Sequence, residues 1–170
     1  EGRIGKVKTE LIQDHHQARM ILICDEDFLA HAAYPVVIDP LVETVQHSST
    51  MEDNYVTSLS PNTVQSYSQD RLRICKNTSY GECPSFLKFT ELPYFLPSNM
   101  VTKAYLRMEL YANSPAQAVP VYVKEVLEDW SSQTITWNNQ PAISDQDTDV
   151  VVIPANVGTG SQFAFDISNL

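Results

Sequence analysis

The sequence predicts an all-β chain, an antiparallel β-sandwich preceded by a short N-terminal flank, and three observations carry that expectation. From Leu41 onward, turn signals recur roughly every eight to twelve residues, the spacing of many short strands. Residues 101–112 alternate strictly. Ala104, Leu106, Met108 and Leu110 form one face, and Lys103, Tyr105, Arg107, Glu109 and Tyr111 the other, which is the period of a half-buried antiparallel strand. No long helical pattern interrupts the series. With 170 residues, 43% of them hydrophobic, the chain has room for one substantial core.

Residues 1–40 read as a flank and 41–170 as the sandwich. In the flank, 19–24 is a short β-type run ending in Cys24, a small hydrophobe expected to be buried. Asp25 is placed to cap a brief turn over 26–30, and Tyr-Pro-Val-Val-Ile-Asp-Pro at 34–40 is extended and closed by proline. In the sandwich, Ser60-Pro61-Asn62 marks a turn within a polar loop over 58–65. Arg71-Leu72-Arg73-Ile74 alternates, with Leu72 and Ile74 on one face and both arginines on the other. Leu87 and Phe89 share a face from which Lys88 points away. Pro120 opens a strand with Val121 and Val123 inward and Tyr122 and Lys124 outward. Then come WSSQTITWNNQP at 130–141, an acidic loop at 144–149, an apolar strand at 150–153, a Gly158-Thr159-Gly160 turn and a last strand at 163–167.

Charge and cysteine usage narrow the function classes. A net charge of -10 and a pI near 4.6 argue against general affinity for nucleic acid or anionic membrane, since phosphate binding draws on clustered Lys and Arg. No apolar run approaches a membrane span, and the abrupt start at Glu1-Gly2-Arg3-Ile4 reads as a segment of a longer protein. Of the three cysteines, Cys75 and Cys83 flank a glycine-containing loop that a disulfide would close, while free thiols are the other reading. Asn77-Thr78-Ser79 fits a glycosylation sequon, a match with meaning only in a compartment that glycosylates asparagine.

YPVVIDP, EDNYV with its Ser-Pro-Asn loop, SFLKF, Leu92-Pro93, VTKAYLRMELYA, WSSQTITWNNQP and FAFDISNL follow one another in this order, and WSSQTITWNNQP is the most specific of them. Taken together, residues from about 34 to 170 resemble the DNRLRE domain family. The resemblance implies a jelly-roll-like sandwich from a secreted or cell-surface bacterial protein, wall-associated or of the Rhs/YD-repeat toxin type, with some members classed as carbohydrate-binding modules. Family domains continue past the DIS segment, so the chain is expected to lack its last strands. The C-terminal end is then expected to lie against another chain or at a natural cleavage point, with neighbouring domains of the parent protein as further partners.

The candidate contact surface is the set of outward cations and tyrosines: Arg71, Arg73, Lys88, Lys103, Tyr105, Arg107, Tyr122 and Lys124. Guanidinium and ammonium groups pair with uronate carboxylates, and tyrosine rings cover sugar faces, so these residues suit an acidic polysaccharide. A merely solvated strand face accounts for the same pattern. Trp137 shares the Ile135 face and is expected in the core, Trp130 is open between core and ligand, and the amides of Asn138, Asn139 and Gln140 are expected to tie down a turn. Asp145, Asp147 and Asp149 have the alternate spacing of calcium loops without the glycine and distal glutamate of an EF-hand, so structural calcium stands beside a plain acidic loop. No other cofactor is implied. Zinc spacing, nucleophile elbows and phosphate loops are absent, so no enzyme is expected. The expected function is non-catalytic polysaccharide binding, with a structural spacer or assembly domain of a larger protein as the alternative.

Overall fold

The computed structural model describes residues 4–13, 18–33, 36, 50–65, 71–90, 103–111 and 115–170. Most of the extended segment at 34–40, the Leu92-Pro93 pair, the two ends of the 101–112 strand and His15, His16 and His47 lie outside the described residues. The chain divides into two compact units, Glu1–Val45 with Pro93–Pro97, and Gln46–Leu92 with Ser98–Leu170.

In the first unit, β1 (Val7–Gln13) pairs antiparallel with β2 (Ala18–Cys24), from Val7 opposite Cys24 to Gln13 opposite Ala18. The sequence reading found only the second of these strands, because Lys8, Glu10 and Gln13 dilute the apolar content of the first. Helix α1 (Glu26–His31) follows directly. Asp25 caps it, its carboxylate accepting the Phe28 amide at 3.0 Å, and Glu26 and Asp27 sit favourably in its first turn. The Phe28 ring lies against Gly5 so closely that a Cβ there would collide with it.

The second unit is all-β, a sandwich class built from antiparallel pairs. β3 (Met51–Tyr55) pairs with β6 (Ser85–Phe89), β4 (Cys75–Asn77) with β5 (Gly81–Cys83), β7 (Tyr105–Glu109) with β10 (Gln162–Asp166), and β8 (Val119–Val123) with β9 (Asp149–Ile153). Single backbone bonds lengthen these ladders. Past Tyr55, the Val56 amide donates to the Pro84 carbonyl and the Ser58 amide to that of Glu82, so the chain leaving β3 runs along β5 as well. The β8–β9 pairing likewise continues through the Val126–Ile143 bridge.

Alternation holds on β7, where Leu106 and Met108 turn inward and Tyr105, Arg107 and Glu109 outward, and on β10, where Phe165 is buried. It fails at two places. Residues 71–74 form no strand and Ile74 is 60% exposed, because pairing starts only at Cys75. On β6 the buried side chain is Phe86, which shares its face with Lys88, so that lysine points toward the core side rather than into solvent.

Val56, Phe86, Trp130 and Ile135 make the core cluster, with Val126 and Trp137 packed against it. Phe86 and Trp130 meet edge to face, centroids 5.7 Å apart. Both tryptophans are therefore structural. Among the described residues Asn54 and Thr57 are the buried polar ones, and Asn54, 2% exposed, donates to the carbonyls of Gln65 at 3.1 Å and Ser132 at 2.7 Å, while its oxygen accepts the Tyr55 amide at 2.8 Å. Replacing Asn54 with Ala leaves these backbone groups without partners and is expected to destabilise the fold by about 2–4 kcal/mol, measured by urea unfolding. Ile135→Ala is expected to cost about 2–5 kcal/mol in the same assay.

Candidate functional site

The tryptophan segment has almost no strand of its own, so side chains from β3 and β6 place it. Glu52 and Lys88 face each other across that ladder. The Lys88 ammonium reaches the Glu52 carboxylate at 3.2 Å, the Asp129 carboxylate at 3.2 Å and the Trp130 carbonyl, and stands 5.5 Å from the Trp130 ring centre. The second oxygen of Glu52 accepts the Ser132 amide at 2.8 Å. Further along, Asn139 accepts from the Thr136 amide and hydroxyl and donates to the Thr134 carbonyl, Asn138 bonds Asn62, and Gln140 donates to the Trp137 carbonyl. The amides thus tie down the turn as expected.

Of the eight candidate contact residues, the structure brings some together and assigns others elsewhere. Lys103, Tyr105 and Arg107 follow one another along the outward side of β7, where Tyr105 faces Asp166 and Arg107 faces Ala164 of β10. Tyr111 continues this face, and the Arg71 guanidinium carbon lies over its ring at 3.3 Å from the centroid. Two residues on, Arg73 lies 4.1 Å from the Tyr80 ring centre and 5.3 Å from that of Tyr55, its carbonyl fastened by the Ser85 hydroxyl at 2.8 Å. The segment 71–73 therefore carries two neighbouring arginine–tyrosine stacks. Such stacking uses the face of the guanidinium and leaves its N–H edge for anions. Tyr80 and Tyr111 are about half exposed.

Lys88 is committed to the tryptophan segment. Lys124 turns back to Asp147 at 3.0 Å and to the carbonyls of Ser144 and Asp145, and Tyr122 lies on the β8–β9 pair, facing Val150. Tyr55 and Tyr80 were not among the sequence candidates. Tyr80 belongs to the β4–β5 turn, and only the Arg-x-Arg spacing at 71–73 hinted that two cations would point the same way. Nothing in the sequence marked Asn54 or Glu52 as fastenings of a distant segment.

The three loop aspartates diverge. Asp147 pairs with Lys124, while Asp149 accepts its neighbour Val150's amide and the Asp166 amide, both at 2.8 Å. Among the described residues, no three His, Cys, Asp or Glu side chains are grouped to hold a metal ion. A drop of several degrees in melting temperature on adding a chelator would support structural calcium at this loop, and an unchanged melting temperature the plain acidic loop.

Carboxylate titration has a defined sign. The Ser132 amide, then Lys88, holds Glu52 below its ordinary value; Lys88 lowers Asp129; and the Ser168 hydroxyl lowers Asp166. Depressed carboxylates contribute stability above their unfolded values, and that contribution is lost as pH falls through their folded values. Burial raises Asp53, which acts in the opposite sense and favours the fold as it protonates. Stability is therefore expected to fall below about pH 4.5, the ordinary glutamate value. Glu52→Gln should flatten that acid limb, read as urea midpoint against pH, and an unchanged slope would remove Glu52 from the account.

Among the described residues the all-β unit thus has Trp130 buried, Trp137 packed against the same core, and Arg71, Tyr80, Tyr105, Arg107 and Tyr111 exposed. The model of carbohydrate-binding module family 96 matches residues 44–170, more than half of the chain. No curated protein and no solved structure matches it. The chain belongs to carbohydrate-binding module family 96.

Proposed function

We propose that residues 44–170 form a non-catalytic module that binds an acidic polysaccharide through the arginine–tyrosine surface built by Arg71, Arg73, Tyr80, Tyr111 and the outward side of β7. The observation that carries this reading is the pair of stacks at 71–73, two guanidiniums laid on partly exposed rings within one short segment. Each guanidinium edge offers paired N–H donors to a uronate carboxylate, and each ring offers a flat apolar face to a pyranose. Lys103, Tyr105 and Arg107 extend the same chemistry along β7. Membership of a carbohydrate-binding family supports the ligand class. The DNRLRE resemblance adds the setting, a secreted or surface-displayed bacterial protein of wall-associated or Rhs type.

A spacer role is the second reading, and the commitment of Lys88 and Lys124 to internal carboxylates favours it, since those cations serve the fold. Affinity electrophoresis in gels containing uronate polymers separates the two. Binding should weaken with added salt. The double substitutions Arg71→Ala/Arg73→Ala and Lys103→Ala/Arg107→Ala should each lower affinity about tenfold, the equivalent of roughly 1.4 kcal/mol of charge-assisted contact. Retention on no acidic or neutral glycan would leave the spacer.

A further inference from the structure

The β4–β5 hairpin sets Cys75 directly opposite Cys83. Residues facing each other across an antiparallel pair have Cα atoms about 4.5–5.5 Å apart, within the roughly 4.4–6.8 Å that a disulfide spans. Their side chains leave the same face of the ladder, so a bond between them needs no change of register. Both thiols lean toward the same turn. The buried Cys83 Sγ donates to the Tyr80 carbonyl at 3.3 Å, and the half-buried Cys75 Sγ lies 4.0 Å from that of Gly81.

The turn is already fixed without any covalent link. Asn77 Oδ1 accepts the amides of Ser79 at 3.0 Å and Tyr80 at 2.8 Å, and Gly81 takes a φ of 69°, open to a residue without Cβ. Its backbone presses on Ser58 and Leu59, where a Cβ would collide. The Thr57 hydroxyl adds a bond to the Tyr80 carbonyl. These contacts hold the cysteines in register in the folded state, whereas the unfolded chain has only their sequence proximity.

We propose that Cys75 and Cys83 are a disulfide-forming pair, closed by exchange with a low-molecular-weight disulfide such as oxidised glutathione, and that the bond staples the hairpin whose turn carries Tyr80. In the first step one cysteine thiolate attacks the glutathione disulfide, forming a mixed disulfide and releasing one glutathione thiolate. In the second, the other cysteine thiolate attacks the protein sulfur of that mixed disulfide and releases the second. Two protein thiols are oxidised, one glutathione disulfide is reduced, and the two protons end on the two glutathione thiols.

Burial, reinforced by the neighbouring Cys83, pushes the Cys75 thiol up to about 12. A folded, reduced hairpin therefore exchanges slowly near neutral pH, and the bond closes most readily while the hairpin is forming. That is the behaviour of a structural link rather than a fast redox sensor. The proposal stands independently of the ligand reading.

The test uses the full chain in glutathione buffers of graded ratio, approached both from the reduced folded protein and by refolding from urea, then alkylated and weighed. The folded protein is expected to lose two alkylation sites, leaving Cys24 as the reactive thiol. Its half-oxidation point should lie at a glutathione ratio about tenfold or more to the reducing side of that in urea, because the fold pre-positions the pair. The oxidised protein should also melt higher, and Cys75→Ser/Cys83→Ser should abolish that difference. Equal or more oxidising half-points in the folded state, bridging to Cys24, or three alkylated thiols at every ratio would overturn the proposal.

Discussion

A single ammonium group, that of Lys88, fixes where the tryptophan segment sits. Charge alone does not explain its strength, since exposed pairs contribute little. Lys88 and Glu52 are each only about 30% exposed, face each other in an established ladder, and together bond the Trp130 carbonyl and the Ser132 amide. The segment between these two residues is thus held by backbone groups, and Asn54 holds it again through the Ser132 carbonyl from the same strand as Glu52. Core packing follows from that placement. Phe86, on the same face of β6 as Lys88, meets Trp130 edge-on, and Ile135 closes the cluster.

What the sequence disclosed and what it hid divide along a physical line. Period-2 alternation on 105–109, a last strand over 163–167, the Asp25 cap and the packing of Trp137 against the core were all legible, because each depends on neighbours a few residues away. The inward turn of Lys88 was not, since it requires knowing that Phe86 rather than Leu87 faces Trp130, some forty residues downstream. The same holds for the candidate surface. Arg71 is exposed and Arg73 only half-exposed, and their tyrosine partners come from β3, the β4–β5 turn and the stretch just past β7. A long-range contact leaves no trace in local pattern, and those contacts decide which cations serve the fold and which face solvent.

That division falls partly by residue type. Lys88 and Lys124 each have a side chain 29% exposed; Lys88 ends on two carboxylates and one backbone carbonyl, Lys124 on one carboxylate and two carbonyls. A compact ammonium with three donors suits such convergent oxygen sites. Arg71 and Arg73 instead lie on aromatic rings, where a planar, weakly hydrated guanidinium gains from stacking. An overall charge of -10 is compatible with anion binding at such a place, because screening over about 8–10 Å makes the local arrangement count for more than the total.

With Trp130 in the core and Trp137 packed against it, the rings on the proposed surface are those of Tyr80, Tyr105 and Tyr111. Tyrosine presents less area than tryptophan, and the arginines already cover one side of Tyr80 and Tyr111, so each contact with a single sugar residue is weak. A surface of weak, repeated contacts gains most from a ligand that repeats too. If the surface binds as proposed, a uronate paired at Arg71 would bring the next along the polymer to Arg73 or the β7 face at high effective concentration. On the proposed reading, the spread of cations and tyrosines over several strands matches a long chain better than a small sugar in a pocket.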